Sequence, residues 1–355
     1  MSTPLVRRLV DLIRRPLRHG PARHGASHYG ARVAEEISRF REEIEIHALP
    51  PIFHYWSDRY VRPKLEAFGF SHPDGFFLTH IEACCARAGS DVDRCKRIIS
   101  LGAGNCDTEV RLARGLLDRG RSDFVIECLD LNAAMLDRGR THAADQGVTA
   151  HVTPVRGDFN AWQPDKSYDC IIANQSLHHV SALEHLFSGV ASGLAAHGRF
   201  VVSDMIGRNG HQRWPEALAI VREFWSEMPT AYRYNRQLRR QDDEFLDWDC
   251  SISGFEGIRA QDILPLLVER FVFEIFIAFG NVIDPFVDRG FGPNFSVDSQ
   301  RDRDFIDRVH ARDEAELAAM RIKPTHMFAV MQAGGGTESP HRVTSAARAA
   351  IRWPD

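Results

Sequence analysis

RIISLGAGNCDTE, residues 97–109, decides the fold of this chain. An apolar run leads directly into Gly102-Ala103-Gly104, and a helical pattern follows. Because glycine has no Cβ, such a turn lets the backbone approach a bound ligand closely. A strand, a glycine turn and a helix in this order are typical of nucleotide-binding sites, although the G-x-G spacing is weak evidence when it stands alone.

The next apolar run, FVIECLD at residues 124–130, ends in an acid. A carboxylate at the tip of a neighbouring strand can accept hydrogen bonds from both hydroxyls of a ribose. We therefore expect Asp130 to bind a ribose. Glu127 is the alternative, but it lies in the middle of the run, where a buried or edge partner is the simpler expectation.

Short β-rich runs alternate with helical segments from residue 97 to residue 205, which predicts βαβ units and a mostly parallel sheet. The predicted strands are 97–101, 123–129, 150–155, 168–173 and 199–204, and the helices between them are 106–119, 132–145 and 182–194. Later helices are predicted near 214–227 and 260–268, and later strands at 271–278 and 325–331. Residues 31–88 show helical spacing interrupted by prolines, which predicts several short helices.

The composition limits the classes of function. With 355 residues, 44% of them hydrophobic, the chain can bury a substantial core, and its net charge of -4 argues against a dedicated nucleic-acid binder. Seven cysteines without a C-x-x-C pair indicate a reduced, cytoplasmic compartment. The longest apolar tract, residues 263–283, contains three charged side chains, so we expect no transmembrane helix.

The first 28 residues carry six arginines against one aspartate, with apolar residues at roughly helical spacing. A solvated, frayed terminus is one interpretation. A helix that contacts a membrane surface or an acidic partner is another, and a transit peptide is a third. The 44 basic residues include only four lysines, which fits a GC-rich, bacterial-type genome as well as it fits phosphate recognition.

The order of these motifs resembles the class I S-adenosylmethionine-dependent methyltransferases, over about residues 96–205 and more loosely to residue 332. The resemblance implies an enzyme of the α/β class with a Rossmann-like, seven-stranded, mostly parallel sheet. Its strand order would be 3-2-1-4-5-7-6 with the last strand antiparallel. The cofactor would be S-adenosylmethionine, and the product S-adenosylhomocysteine.

Charge and periodicity, together with the resemblance, divide the chain into domains. Charge and spacing predict a basic, flexible arm at residues 1–30, a helical cap at 31–95 and a mobile tail at 333–355, where Gly334 to Gly336 and Pro340 break the periodicity. The resemblance implies a methyltransferase domain at 96–332. About forty residues separate the last two predicted strands, and connections of this length are uncommon unless they are functional. We expect segments 228–262 and 281–322 to cover the acceptor site.

The resemblance assigns a set of cofactor contacts: Ser100, Gly102, Ala103, Gly104, Asp130, Leu131, Asp158, Phe159, Asn174, Gln175, Tyr55, Arg59 and Tyr60. In the family the glycine loop faces the aminoacyl part of the cofactor, the acid after the second strand binds the ribose, and the acid after the third strand meets the adenine amino group, with an apolar neighbour beside it. The segment after the fourth strand runs beneath the sulfonium. The last three residues represent the Tyr or Arg that a preceding helix often supplies to the methionine carboxylate.

Two positions depart from the family's pattern. Ser100 stands where an acid is frequent, and Cys106 stands where a third glycine is frequent. Either change could weaken cofactor binding. Glu109, in the first turn of the following helix, has two equal interpretations: it meets the cofactor's ammonium group, or it only complements the positive end of the helix dipole.

The candidate catalytic residues are His178, His179 and Asp204. A neutral imidazole near the methyl donor can take a proton from a hydroxyl acceptor, because histidine titrates near working pH. Adjacent histidines cannot point the same way from a regular strand or helix, so we expect one of them to face the site. Asp204, at the end of the fifth strand, either orients the acceptor or caps the following turn. Since His211, His310 and His326 form no recognisable ligand set, we expect no metal site.

The acceptor follows by elimination. The Asn-Pro-Pro-aromatic motif of amino-methylating relatives and the Pro-Cys dipeptide of cytosine-methylating ones are both absent after the fourth predicted strand. This favours a small-molecule or glycan-like acceptor that is methylated on oxygen. Three alternatives stay open: an enzyme of the same fold with non-methyl chemistry, an NAD-dependent dehydrogenase, and a non-catalytic interaction module.

Overall fold

Apolar runs that end in turns build a central sheet in the computed structural model, which describes residues 25–41, 48–87, 95–252, 254–334 and 341–353. The strands are β1 Lys96–Leu101, β2 Phe124–Asp130, β3 Val152–Arg156, β4 Tyr168–Asn174, β5 Leu194–Met205, the short pair β6 Tyr234–Asn235 and β7 Arg240–Gln241, β8 Phe271–Phe279 and β9 His326–Ala333. The main sheet has the order β3-β2-β1-β4-β5-β9-β8. Its first five strands are parallel, and β9 is antiparallel to both β5 and β8. The predicted fold and strand order are thereby confirmed.

The helices agree with most of the predicted segments. They are α1 Gly25–Arg41, α2 Pro51–Trp56, α3 Arg62–Glu66, α4 Pro73–Arg87, α5 Asp107–Asp118, α6 Ala133–Asp145, α7 Leu183–Gly193, α8 Pro215–Glu227, α9 Ala260–Arg270, α10 Asp284–Val287, α11 Gln300–Ala318 and α12 His341–Ala349. A π-helical turn, Ser57–Val61, joins α2 to α3. No helix in the described residues is long and apolar enough to cross a membrane. The interpretations of the basic arm fall on residues 1–24, outside the described part of the chain.

Apolar side chains on the two faces of the sheet form two cores. Helices α7, α9 and α12 cover one face, and α4, α5 and α6 cover the other. A third apolar cluster joins α2 and α8 to the insertion between β8 and β9, where Ile52, Trp56, Phe286 and Val309 are buried together. The insertion is therefore packed against the helical cap.

The C-terminal segment differs from the expected mobile tail. Helix α12 lies against β8 and α9, Ala347 is fully buried and Ile351 is only 4% exposed. Thr344 accepts a hydrogen bond from the backbone N–H of Phe273 at 3.3 Å. The glycine run and Pro340 break the apolar periodicity of the sequence only before this helix. The apolar residues that follow have helical spacing again, and they are buried.

Candidate active site

The glycine loop lies at the carboxyl end of β1, against the end of β2. Gly102 and Ala103 donate their backbone N–H groups to the carbonyl of Leu129, at 2.9 and 3.1 Å. Gly102 has a φ of +76°, and a Cβ on it would lie 2.5 Å from the Cβ of Ser176. Only glycine fits a backbone in this left-handed conformation and at this separation.

The structure accommodates the missing third glycine. Cys106 takes a left-handed φ of 58°, the conformation that a glycine would supply, and it is fully buried. A Cβ on Gly139 of α6 would lie 2.7 Å from its Sγ. The absence of a side chain at Gly139 therefore makes room for the thiol.

The acid that is missing at position 100 is supplied from α5. The Ser100 hydroxyl donates to Glu109 Oε1 at 2.6 Å, and both side chains are buried. Burial raises the pKa of Glu109 to about 7. Its Oε2 is buried without a hydrogen-bond partner among the described residues. A carboxyl group thus lies against Ser100 of β1, two residues before Gly102, with one oxygen free to accept a hydrogen bond.

Asp130 lies at the end of β2 and holds the loop in place. Its Oδ2 accepts from the N–H of Gly104 at 2.9 Å, and its Oδ1 accepts from the N–H of Asn132 at 2.8 Å. Burial raises its pKa. Because each carboxylate oxygen has two lone pairs, both oxygens keep acceptor capacity for a ligand. Glu127, the alternative, accepts instead from Lys166 and Tyr168.

Asp158 and Phe159 follow β3 on the same edge of the sheet. Asp158 accepts from the N–H of Asn160 at 2.9 Å and from the hydroxyl of Tyr29. The Phe159 ring lies 3.5 Å from the place where a Cβ on Gly102 would be. Tyr29 belongs to α1, so this helix reaches the site. Sequence reasoning missed Tyr29 because it placed residues 1–30 in a flexible arm.

Tyr55, Arg59 and Tyr60 contact helix α11 of the insertion. The Tyr55 hydroxyl donates to Asp307 at 2.9 Å, and the Tyr60 ring stacks on His310 at 3.8 Å. Arg59 donates to the Tyr60 hydroxyl and pairs with Asp307. Contact of this segment with the cofactor's carboxylate stays a prediction.

The turn after β4 ties three strand ends together. The Asn174 side chain donates to Thr108 at 3.3 Å, and the backbone N–H of Gln175, at a φ of 54°, donates to the carbonyl of Ser203 at 2.7 Å. The Ser176 hydroxyl donates to the carbonyl of Leu101 at 2.6 Å. The segment predicted to run beneath the sulfonium thus borders the glycine loop.

Asp204 accepts hydrogen bonds from the turn after β4 and from the N–H of Met205, the latter at 2.8 Å. It is fully buried, and its Oδ2 accepts from the N–H groups of Ser176 and Leu177, at 2.9 and 2.7 Å. Its Oδ1 lies 2.7 Å from His178 Nδ1. Burial alone would raise the pKa of Asp204, but His178 and the two N–H groups outweigh it and lower the pKa. The imidazole of His178 is therefore held with Nε2 directed away from Asp204.

The adjacent histidines His178 and His179 both approach the same carboxylate, whereas the sequence predicts that one of them faces the site. Residues Leu177–His179 form a 3₁₀ turn, in which side chains follow neither strand nor α-helical directions, and the two imidazole centroids are 4.3 Å apart. Both Nε2 atoms approach Glu256, from His178 at 3.5 Å and from His179 at 3.8 Å.

Sequence reasoning missed the three side chains that complete this cluster. Glu256 lies between the two histidines and His211, whose Nε2 is 2.7 Å from Glu256 Oε1, and Glu36 of α1 is 3.0 Å from His179 Nδ1. Burial alone would lower the pKa of His179, but Glu256 and Glu36 outweigh it and raise the pKa to about 9. We call His178, His179, His211, Glu256 and Glu36 the histidine–glutamate cluster. No motif signals it, since its members come from separate loops and helices.

A comparison with known protein families matches the part of the chain that forms this edge of the sheet. A family described as a methyltransferase domain matches residues 98–198, which run from β1 into β5 and include the glycine loop, Asp130, Asp158 and His178. Residues 98–198 therefore form a methyltransferase domain, in keeping with the resemblance of the motifs to class I enzymes. Domains of this class use S-adenosylmethionine as cofactor and release S-adenosylhomocysteine.

The methyltransferase domain has relatives at low identity. Over 114 residues, 32% of this chain, it is 29% identical to the ubiquinone/menaquinone biosynthesis C-methyltransferase UbiE of Enterobacter sp. (strain 638), and the match spans 44% of that protein. A geranyl diphosphate C-methyltransferase from Streptomyces coelicolor A3(2) is 15% identical, with a TM-score of 0.44 over 85% of this chain and 97% of that one. An O-methyltransferase from a trans-AT PKS multienzyme of Brevibacillus brevis is 13% identical, with a TM-score of 0.41 over 87% and 89%. These structural similarities are too distant to inform the substrate.

The residues of the methyltransferase domain fit the cofactor. The glycine loop leaves no side chain where Gly102 faces Ser176, and Glu109, bound to Ser100 of β1, keeps a buried Oε2 without a hydrogen-bond partner among the described residues. An unpaired buried carboxyl oxygen is costly, and a bound ammonium group is a chemical match for it. The carboxylate of Asp130 stands at the strand tip where class I enzymes bind a ribose.

Proposed function

We propose that this protein transfers a methyl group from S-adenosylmethionine to the hydroxyl oxygen of a small-molecule or glycan-like acceptor. One observation carries the proposal: the glycine loop with Asp130 and the histidine–glutamate cluster lie on the same edge of the sheet, joined through Ser176. A donor site and a polar acceptor site are thus adjacent. A cytoplasmic location belongs to the same proposal, on the cysteine pattern of the sequence.

The residues of the donor site bind the cofactor and orient it. Asp130 accepts from the ribose hydroxyls, Asp158 from the adenine amino group with Phe159 beside the ring, and Glu109 from the ammonium group. The backbone of residues 102–104 and the Asn174-Gln175 turn border the aminoacyl and sulfonium parts. When bound, the cofactor supplies a methyl group on a positively charged sulfur. Alignment of donor and acceptor can contribute roughly 7 to 11 kcal/mol to lowering the barrier.

The acceptor side receives the hydroxyl. Its proton leaves through the histidine–glutamate cluster, where His178 is oriented by Asp204 and lies next to His179 and Glu256. Helix α1 contributes Tyr29 and Glu36 to the two sides of this region, which supports a role for the cap in excluding water. Segments 228–262 and 281–322 remain the proposed cover of the acceptor, since Glu256 comes from the first of them.

Calorimetric titration tests the donor site. We expect saturable binding of S-adenosylmethionine and S-adenosylhomocysteine and none of NAD. Asp130→Ala should weaken this binding by about 1 to 3 kcal/mol, because it removes a charged hydrogen-bond acceptor. Asp145→Ala, at an exposed position on α6, is the matched control and should bind as the wild type does. Binding of NAD alone would point to the dehydrogenase alternative and overturn the proposal.

Mass spectrometry of a native small-molecule extract, incubated with the enzyme and an isotopically labelled methyl donor, tests the acceptor. We expect a labelled product whose fragmentation places the methyl group on oxygen. A label on carbon or nitrogen would contradict the oxygen acceptor and leave methyl transfer standing. Cofactor binding without any labelled product would instead favour non-methyl chemistry or a non-catalytic module.

A further inference from the structure

We infer that His178, His211 and Glu256 form a binding site for a divalent transition-metal ion of the zinc type. One ligand atom from each residue lies within 4.8 Å of the other two. Two imidazoles and one carboxylate are a ligand set that proteins use for Zn²⁺ and for Fe²⁺ with open coordination positions. The sequence predicts no metal site, because His211, His310 and His326 form no recognisable ligand set with nearby carboxylates.

The distances are close to those of a bound ion. Glu256 Oε1 is 2.7 Å from His211 Nε2 and 3.5 Å from His178 Nε2. A tetrahedral ion at about 2.1 Å from each ligand would hold them roughly 3.4 Å apart. The two Glu256 distances lie on either side of this value, and all three ligand atoms lie within 4.8 Å of one another.

The group behind His178 supports this assignment independently. In metal sites, a ligating histidine almost always donates its other ring N–H to a carboxylate or carbonyl, which fixes the tautomer and the ring. Asp204 Oδ1 lies 2.7 Å from His178 Nδ1, and two backbone N–H groups hold the other oxygen of Asp204. With the proton on Nδ1, the lone pair of Nε2 faces Glu256.

Backbone geometry brings the three ligands together. His211 has a φ of 55°, an uncommon conformation for a residue other than glycine, and strained residues of this kind cluster at functional sites. Gly210 donates to the carbonyl of Gly257 at 2.9 Å, and Ile258 donates to the carbonyl of His178 at 3.1 Å. A Cβ on Gly257 would lie 3.1 Å from the His211 ring. The loops that carry Glu256 and His211 are thus locked to the turn that carries His178.

The site is accessible to an ion. The His178 side chain is 5% exposed, but those of His211 and Glu256 are 21% and 22% exposed. Three protein ligands leave at least one coordination position for an oxygen ligand. On the proposed function, that ligand is the acceptor's hydroxyl, and coordination would lower the pKa of this hydroxyl so that its proton leaves more readily. Binding of the ion itself does not depend on the proposed function.

Spectroscopic titration of the chelator-treated full chain with Co²⁺, and calorimetry with Zn²⁺, test the inference without any cofactor. We expect one equivalent to bind, with weak visible Co²⁺ bands and no strong near-ultraviolet thiolate band. Glu256→Gln should lower Zn²⁺ affinity at least about 100-fold, since even a residue behind a ligand typically contributes 10- to 100-fold. His211→Asn should do the same, and asparagine tolerates the left-handed backbone.

His54→Ala, at an exposed position on α2, is the matched control and should retain the affinity of the wild type. Circular dichroism checks that each variant is folded. Affinity equal in wild type and both ligand variants would overturn the inference, as would a thiolate band or no bound equivalent, and the cluster would then be a hydrogen-bonded network only. These outcomes leave S-adenosylmethionine binding untouched, so the two proposals fail separately.

Discussion

Glu109 is a buried acid that has a hydroxyl as its partner rather than a cation. It is 2% exposed, it accepts from Ser100, and burial raises its pKa to about 7. An ionised carboxyl in this place destabilises the folded protein, because the unfolded chain keeps the charge in water. A ligand ammonium at the same place would relieve that cost. Glu109 thus lowers the stability of the folded protein and at the same time provides a hydrogen-bond acceptor for a ligand.

Glu109→Gln should remove a pH-dependent loss of stability. The folded pKa of about 7 lies above the unfolded value of 4.5, so the folded state holds more protons between these values. Wild-type stability should therefore fall as pH rises from about 5 to 7 and stay lower above it. Between pH 5 and pH 8, the difference in unfolding free energy between the glutamine variant and the wild type should therefore shift in favour of the variant by on the order of 1 to 3 kcal/mol.

Urea unfolding at pH 5 and pH 8 measures this difference. Glu66→Gln, at the exposed last residue of α3, is the control and should change with pH as the wild type does. If the stability of Glu109→Gln also changes with pH as that of the wild type does, the carboxyl group is ionised without cost and its pKa is not raised by burial.

At the scale of elements, periodicity predicted what depends on local sequence. The strands and helices from β1 to β5 agree within a few residues, because alternating apolar runs and helical stripes are local signals. Contacts between distant segments were not predictable in this way. Tyr55 binds Asp307 and Tyr60 stacks on His310, both in the insertion, and Glu256 meets His178 only through folding.

Helix α12 is a second feature that the local sequence did not predict. A glycine run and a proline suggested a mobile tail, yet the nine-residue helix beyond them packs on β8. Its amphipathic stripe was present in the sequence, but the local sequence does not indicate that the helix packs on an otherwise uncovered face of the sheet. Tertiary packing, not propensity, decides such short helices.

Ile351→Ala should destabilise the protein if the C-terminal segment is part of the core. Ile351 is 4% exposed, so the change removes buried methyl and methylene groups and leaves a cavity, at a cost of about 2 to 4 kcal/mol. Ile252→Ala is the matched control, because Ile252 is 59% exposed and should change stability by less than about 0.5 kcal/mol. Urea unfolding compares the two. Equal effects would mean that the segment does not dock on the sheet.

At the scale of the whole molecule, one aromatic side chain connects the cap and insertion to the sheet. Phe279, at the end of β8, packs against both the third apolar cluster and the core beneath α4 and α5. Its ring lies 6.4 Å from Trp56 of α2 and 5.8 Å from Phe328 of β9. The parts that cover the site and the sheet that carries it therefore share buried apolar surface, which favours cooperative unfolding.

Differential scanning calorimetry should accordingly show one unfolding transition that S-adenosylhomocysteine shifts as a whole. The proposed contacts follow β1, β2, β3 and β4, so the ligand binds only when the sheet edge is intact. At 100 times its Kd a ligand adds about 2.7 kcal/mol, which corresponds to a rise in Tm on the order of 5 °C. Phe279→Ala should separate the transitions by removing the shared contact, leaving the ligand to shift only the one that contains the sheet. Two transitions in the wild type, with one insensitive to the ligand, would show instead that the cap and insertion unfold independently of the site they cover.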